Sequence, residues 1–353
     1  MIVAVLGSGN GGTAIAFDWA AAGHEVRLAD FPEHARSVEP AAERGVLRAS
    51  GELEGEAPIA QSGFDIGAAV TGADLVFIVG PAFATASFAE AAAPHLRDGQ
   101  TVIVCPSSCG GGLVVRSFLP KDSGVVVGET HTLPYAARLS APGEVHVFLK
   151  LRGGMLASAL PAAESARVAE TLSSVYPGTV ATGIWQTTLQ NANPVIHPAV
   201  TLLNAGLLER TSGDFLFYEE GVTPSVGRAI EAVDRERIAI GAALGTEIVP
   251  DPVLSLEQGY MTEASYETGY ANAPGFKGIG APSSLDGRYL TEDIGYGLVF
   301  MSDLGRAVGV PTPTMDAIIQ LGSVVLGRDF RAEAPRTLAA LGLPEDREAL
   351  RAL

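Results

Sequence analysis

Met1-Ile-Val-Ala-Val-Leu-Gly7-Ser-Gly-Asn-Gly-Gly12 opens the chain. Ile2–Leu6 is an unbroken apolar run of the length of a buried strand, and Gly7-Ser8-Gly9-Asn10-Gly11-Gly12 follows it directly as G-x-G-x-x-G. An Ala-rich amphipathic stretch near Gly11–Ala22 comes next. In that context Gly7 allows a tight turn, Gly9 lets the main chain approach a pyrophosphate, and Gly12 lets the helix pack close to the strand while its first amides face the anion. A second strand, Glu25–Ala29, ends at Asp30, 18 residues past Gly12. There a carboxylate accepts from both ribose hydroxyls and repels a 2′-phosphate. The stretch predicts a dinucleotide site built by Gly7, Ser8, Gly9, Asn10, Gly11, Gly12 and Asp30, with NAD favoured. NADP stays open, because Asp30 can equally cap a turn before Phe31-Pro32 and nearby Arg36 can serve a 2′-phosphate.

Outward from this motif, short β-branched runs alternate with helical stretches. Asp74–Val79, Thr101–Cys105 and Val125–Gly128 read as further strands, and Ala82–Leu96 and Gly111–Phe118 as helices. The handedness of crossover connections makes a doubly wound parallel sheet the economical topology. The turn Gly80-Pro81-Ala82-Phe83 falls at the carboxyl edge of that sheet, so Pro81 either flanks the nicotinamide or diphosphate or belongs to an ordinary strand-to-helix turn. Glu144–Lys150 and Met155–Leu160, joined through Leu-Arg-Gly-Gly, read as an antiparallel hairpin at the sheet edge.

After about residue 186 the apolar period lengthens to that of a helix, with Ile196, Val200, Leu203 and Leu207 on one stripe. We therefore expect a dinucleotide-binding Rossmann-type domain over 1–185 and an all-helical substrate and catalytic domain over 186–353. Asn193, Thr223 and Thr312 each precede a proline and read as helix caps, and Gly245 and Gly327 read as helix stops. The Gly, Pro and Ser-rich stretch from Asn272 to Arg288 is too long for an idle connection.

The composition narrows the class. Forty acidic against 23 basic side chains give a net charge of −17, which repels polyphosphate and argues against nucleic acid as a partner. Cys105 and Cys109 are too few for a disulfide framework and lack a second pair for a zinc site, so no metal is expected and both thiols read as reduced and structural. The N-terminus carries no basic segment ahead of its apolar run, and no stretch reaches ~18 unbroken apolar residues, so a cytoplasmic chain without membrane spans is expected. Apolar residues such as Phe215-Leu-Phe-Tyr218 can supply either core or the surface of a homodimer.

Hydride chemistry at a carbonyl or imine carbon needs a proton for the heteroatom that gains charge. Of the three lysines, Lys121 and Lys150 fall in the first domain and Lys277 in the long loop. Of the six histidines, His24, His34, His95 and His146 read as structural, and His131 as a bystander. His197 differs. It lies between Pro194 and Pro198 in Asn191-Ala-Asn-Pro-Val-Ile-His-Pro, where the second proline biases it away from helix, so the helix starts late or kinks. Further on, Leu285-Asp-Gly-Arg-Tyr-Leu-Thr-Glu-Asp-Ile-Gly-Tyr-Gly leads into a helical pattern with Thr291 as N-cap, which puts Glu292 and Asp293 in its first turn. Arg288 just upstream offers a planar two-pronged donor for a carboxylate. Glu129, at a strand end, can bind a cationic amine or be a solvated terminus.

The chain resembles the octopine/nopaline, or opine, dehydrogenases over nearly its whole length. The likeness rests on Gly7-Ser-Gly-Asn-Gly-Gly, Glu129-Thr-His-Thr-Leu-Pro-Tyr-Ala-Ala-Arg, Asn193-Pro-Val-Ile-His-Pro and, most specifically, Arg288-Tyr-Leu-Thr-Glu-Asp-Ile-Gly-Tyr-Gly. It implies a C-terminal domain arranged like that of 6-phosphogluconate dehydrogenase and an enzyme that condenses an amino acid with a 2-oxo acid such as pyruvate, using NAD(P)H. It also implies His197 and Asp293 as the catalytic pair and Arg288 as the holder of the oxo acid carboxylate. Two other readings compete: a simple 2-oxo acid reductase of the ketopantoate reductase or glycerol-phosphate dehydrogenase type, which works through a lysine, and a non-catalytic NAD-binding sensor.

Overall fold

The computed structural model describes residues 1–34 and 37–353, so Arg36 lies outside the described residues. The chain divides into two units, Met1–Thr187 and Thr188–Leu353.

The first unit contains strands β1 (Ile2–Leu6), β2 (Glu25–Ala29), β3 (Val46–Gly51), β4 (Gly55–Pro58), β5 (Gln61–Gly63), β6 (Leu75–Ile78), β7 (Thr101–Val104), β8 (Val126–Thr130), β9 (Tyr135–Ala141), β10 (Glu144–Lys150), β11 (Leu156–Leu160) and β12 (Val180–Ala181). Its helices are α1 (Asn10–Ala21), α2 (Val38–Arg44), α3 (Ile66–Val70), α4 (Ala84–Ala92), α5 (Gly111–Ser117) and α6 (Ser165–Ser173); α7 (Ile184–Leu189) spans the division. The main sheet runs β12-β11-β8-β7-β6-β1-β2-β5, and β1 pairs in parallel with both β2 and β6. This is the doubly wound order, with its reversal between β1 and β6. Alternate residues explain the layers. Val3, Val5 and Phe77 enter one core with Phe17 and Trp19 of α1, whereas Ala4, Leu6, Val76 and Ile78 enter a second with Phe88 of α4.

The anticipated hairpin does not form. Glu144–Lys150 pairs antiparallel with β9, and Leu156–Leu160 instead pairs antiparallel with β8 at the edge of the main sheet. Pro142-Gly143, with Gly143 at φ +76°, makes the tight link that the longer Leu-Arg-Gly-Gly segment cannot. β9 and β10 belong to a separate four-stranded sheet, β4-β3-β10-β9. A buried polar network ties this sheet to α1: Lys150 Nζ lies 2.6 Å from Asp18 Oδ2, which also accepts from the Tyr135 hydroxyl at 2.6 Å.

The second unit is helical: α8 (Asn193–Leu203), α9 (Ala205–Thr211), α10 (Pro224–Ala243), α11 (Asp251–Glu257), α12 (Arg288–Glu292), a π-helical segment Asp293–Leu298, α13 (Val299–Val308), α14 (Pro313–Leu326) and α15 (Arg347–Arg351). The region 272–288 holds one short 3-10 turn, Pro274–Phe276, followed by Lys277.

Several local expectations are corrected. α8 neither starts late nor breaks at Pro198; it runs through, with Pro194–Leu202 all buried, so packing outweighs the missing N–H. The stripe is set by Ile196, Ala199, Val200 and Leu208, while Leu203 is 55% exposed. Phe215, Phe217 and Tyr218 are core residues and offer no dimer surface. Of the three proposed caps, Thr223 accepts from the Val226 N–H, but Asn193 is capped by Asn191 Oδ1 at 3.0 Å, and the first N–H groups of α14 go to the Glu236 carboxylate at 2.6 and 2.9 Å rather than to Thr312. Thr291 is not an N-cap. The helix begins at Arg288 after the extended Gly287, and the Thr291 hydroxyl donates back to the Gly287 carbonyl at 3.2 Å.

Candidate active site

In the first unit, the geometry of the glycine loop fits a dinucleotide. Gly7 has φ +111°, and a Cβ there would lie 2.0 Å from the Val79 carbonyl oxygen, so the loop after β1 is pressed against the end of β6. A Cβ on Gly12 would lie 1.8 Å from the Gly7 oxygen, which is the close helix-to-strand approach expected of the third glycine. At Gly9 no described residue stands within 4 Å of where a Cβ would lie, and at the amino end of α1 beside it the pyrophosphate of NAD(P) would meet the first N–H groups of the helix. Gly11 serves packing instead, since its Cβ would come within 3.0 Å of the Leu133 side chain. Asn10 Oδ1 accepts from the Leu139 N–H at 2.9 Å and so ties the loop to β9. Pro81 sits in the turn after β6, at the switch point, with its carbonyl accepting from the Ala84 N–H at 3.0 Å.

Asp30 and Glu129 both hold backbone donors within the first unit. Asp30 is buried; its Oδ2 accepts from Ser8 N at 2.6 Å and Ser8 Oγ at 2.8 Å, and its Oδ1 from Phe31 N at 2.8 Å. The carboxylate thus clamps the glycine loop and holds the turn at Phe31, with one acceptor site on Oδ1 left for a ribose hydroxyl. Its negative charge at this position still opposes a 2′-phosphate. Glu129 is 0% exposed, so it is no solvated terminus. Its oxygens accept from Gly112 N at 2.7 Å and from the Thr187 hydroxyl at 2.7 Å, which anchors the start of α5. His131 Nδ1 accepts from the Leu156 N–H at 3.0 Å, so the backbone fixes its tautomer.

The second unit brings His197 and Asp293 together, although 96 residues separate them. Nδ1 of His197, on α8, lies 2.8 Å from Oδ2 of Asp293, and both residues are buried. Asp293 opens the π-helical segment, and the wider turn there interrupts what is otherwise one helix from Arg288 to Val308; such turns recur at functional sites. The remaining surroundings of the imidazole were not legible in the sequence. The Tyr289 ring stacks on it at 4.0 Å between centroids, Phe217 meets it edge-on at 5.9 Å, and the Tyr218 hydroxyl lies 3.1 Å from Nε2. Arg288 is 60% exposed, and its guanidinium Nε lies 3.2 Å from Oε2 of the buried Glu292.

A second buried carboxyl, Asp251, starts α11 and accepts from the Tyr270 hydroxyl. Burial pushes its pKa up to about 6, against the Tyr270 hydrogen bond, which works the other way. Because the folded state holds this proton between pH ~4 and ~6 while the unfolded chain does not, stability falls as pH rises through that window, by roughly 2–3 kcal/mol. Asp251→Asn should remove this part of the slope, as measured by urea unfolding at pH 4.5 and pH 7.

Among the described residues, no cluster of His, Cys, Asp or Glu could hold a metal ion, and no helix is long and apolar enough to cross a membrane. Cys105 and Cys109 are buried thiols outside any disulfide; burial raises the Cys105 thiol to about 12.

Family models match both parts of the chain. Residues 2–108 match the family described as NAD-dependent glycerol-3-phosphate dehydrogenase N-terminus, and residues 180–326 match NAD/NADP octopine/nopaline dehydrogenase, alpha-helical domain. The fold is shared with a solved octopine dehydrogenase described with NADH and L-arginine (TM-score 0.83, 21% identity, covering 100% of this chain and 98% of that one). It is also shared with a yersinopine dehydrogenase described with NADP+ bound (TM-score 0.75, 18% identity, 100% and 98%). An opine dehydrogenase from Arthrobacter sp. (strain 1C) is 40% identical over 346 residues, 96% of this chain and 94% of that relative. The chain belongs to the opine dehydrogenase family of NAD(P)-dependent oxidoreductases.

Proposed function

We propose that this protein joins the amine of an amino acid to the carbonyl carbon of a 2-oxo acid such as pyruvate, reducing the resulting imine to a secondary amine dicarboxylate, and that it catalyses the reverse oxidation. The observation that carries this reading is the buried contact between His197 Nδ1 and Asp293 Oδ2 at 2.8 Å. Asp293 accepts a hydrogen bond from Nδ1–H, fixes the tautomer and stabilises the imidazolium, so the Nε2 side becomes the acid for the substrate oxygen as the carbinolamine and then the imine form. The exposed Arg288 guanidinium supplies the paired N–H donors that a 2-oxo acid carboxylate matches. A bound reduced nicotinamide supplies the hydride, and the Gly7–Gly12 loop with the amino end of α1 would hold its pyrophosphate. The Asp30 charge supports NAD over NADP. For the amino acid, Glu129 is the candidate carboxylate for the amine or a cationic side chain, and the identity of that side chain is left unassigned.

Loss of NADH absorbance in a matrix of amino acids crossed with pyruvate, 2-oxoglutarate and oxaloacetate tests this, with NADPH as the parallel cofactor. A signal that needs both partners is expected; a signal from the oxo acid alone would establish plain ketone reduction, and NADH binding without turnover would establish a sensor. The lysine-dependent reductase finds little support. Lys150 is held by Asp18, and Lys277 lies in a turn after a 3-10 segment rather than on a helix. Lys277→Met should leave kcat within about threefold of the parent, against the 10²-fold or greater loss that removal of a general acid brings.

The working assembly we propose is a homodimer in the cytoplasm, where reduced nicotinamide is available. Its support is α14, on which Leu321, Val324 and Val325 are exposed at i, i+3 and i+4. In a chain of net charge −17, an uncharged apolar stripe is where a second copy can approach without repulsion. Val324→Asp should shift the sedimenting species from dimer to monomer.

A further inference from the structure

Every polar atom of the His197 imidazole already has a protein partner: Asp293 on Nδ1 at 2.8 Å and the Tyr218 hydroxyl on Nε2 at 3.1 Å. Tyr289 covers one ring face and Phe217 an edge. A substrate oxygen that takes a proton from Nε2 must therefore either expel the Tyr218 hydroxyl or receive the proton through it. Expulsion is opposed by packing. The Tyr218 ring stacks on Phe276 at 4.4 Å and 17°, meets Phe217 edge-on at 5.0 Å and 87°, and is buried.

We propose that Tyr218 is a further catalytic residue, the group that touches the substrate oxygen, and that it relays the proton from His197. The inference rests on the condensation chemistry proposed above only for the identity of that oxygen. The direction of the Tyr218 hydrogen bond supplies the logic. With Nδ1–H held by Asp293, the neutral ring has a bare Nε2, and the phenolic O–H must donate into it. When the ring is protonated, Nε2–H donates to the phenolic oxygen, and the phenolic proton is released to point at the substrate. Tyr218 thus presents its proton only when His197 has one to replace it.

In the dehydration step the C–O bond of the carbinolamine breaks with its electron pair passing to oxygen, while the nitrogen lone pair forms C=N. That oxygen takes the Tyr218 proton and leaves as water, and the Nε2 proton moves to the phenolic oxygen. Tyr218 ends as it began, and the imidazolium has become neutral. The two transfers are concerted, because burial, with Tyr289, Asp251 and Asp293 nearby, holds the phenol well above its ordinary pKa and makes a free tyrosinate costly. Nothing in Phe215-Leu-Phe-Tyr218 announces this role, since the stretch reads as an apolar run.

Tyr218→Phe keeps the ring and its stacking and removes only the hydroxyl. With the thermal midpoint checked against the parent, kcat should fall about 10²-fold or more, with the KM for the oxo acid within about threefold. A proton inventory in mixed H2O and D2O should show two protons in flight in the parent and one in the variant. Unchanged or faster turnover, or a single-proton inventory in the parent, would overturn the relay. The test stands apart from the condensation reading: were the parent to reduce the oxo acid alone, condensation would fall, yet the carbonyl oxygen would still need a proton and the same ratio would judge Tyr218.

Discussion

Asp293→Asn should reduce kcat for the condensation by about 10²–10⁴, with little change in the affinity for NADH. The expectation follows from what the amide can offer at 2.8 Å from Nδ1. If its oxygen faces the ring, the tautomer survives but the negative charge that stabilises the imidazolium is gone. If its NH2 faces the ring, Nδ1 becomes the acceptor, the proton moves to Nε2, and the ring can no longer receive the Tyr218 hydroxyl. Either way a charged intermediate in a buried setting loses its counter-charge, which costs more there than in water. His197→Ala should cost a similar factor. The double variant should be no worse than the poorer single one, because the two side chains act as a unit. Steady-state kcat for the three variants decides the matter, and factors that simply multiplied would mean that Asp293 acts independently of the imidazole.

The cofactor half of the fold was legible because its rules are local. A strand, a glycine turn and a helix follow one another within 21 residues, and the alternation of buried strand residues leaves a mark in any short window. Of the second sheet only β10 left such a mark, and its pairing partners did not. Its strands are four to seven residues long, and β10 pairs with β3 almost a hundred residues earlier, so only tertiary structure declares it. His197 stood out by its prolines, although the helix that carries it begins at Asn193 and continues past Pro198. Asp293 was placed on a helix start that proved to be a π-helical turn inside a longer helix, a geometry that no residue pattern announces. Asp30 and Glu129 show the same limit from the other side. The sequence identified where each carboxylate lies, at the end of a strand, and not which backbone donors would reach it first.

A third pair of residues escaped the sequence altogether, and it carries the largest expected effect on stability. Glu231-Ala-Val-Asp-Arg-Glu-Arg237 on α10 looks like a solvated helix face, yet Arg237 is 0% exposed. Its Nε lies 2.6 Å from Asp234 Oδ1, and its other nitrogens donate to the carbonyls of Leu189 at 2.8 Å and Val249 at 3.2 Å. Asp234 Oδ2 in turn accepts from the Asp251 N–H at 2.9 Å and from the Tyr266 hydroxyl. Asp234→Ala removes the counter-charge of a fully buried guanidinium and leaves two further donors unpaired, so unfolding free energy should fall by about 3–5 kcal/mol. For a unit of 166 residues (353 − 187) that corresponds to a midpoint lower by ~6–20 °C in scanning calorimetry. Adding Arg237→Met should restore part of the loss, since a buried charge without a partner costs more than no charge at all, while the Leu189 carbonyl loses its guanidinium donor and the Val249 carbonyl keeps the Gln190 amide at 2.8 Å. A loss below about 1 kcal/mol in the single variant would mean that the two carbonyls alone compensate the guanidinium, and that the ion pair contributes little to holding α10 in place.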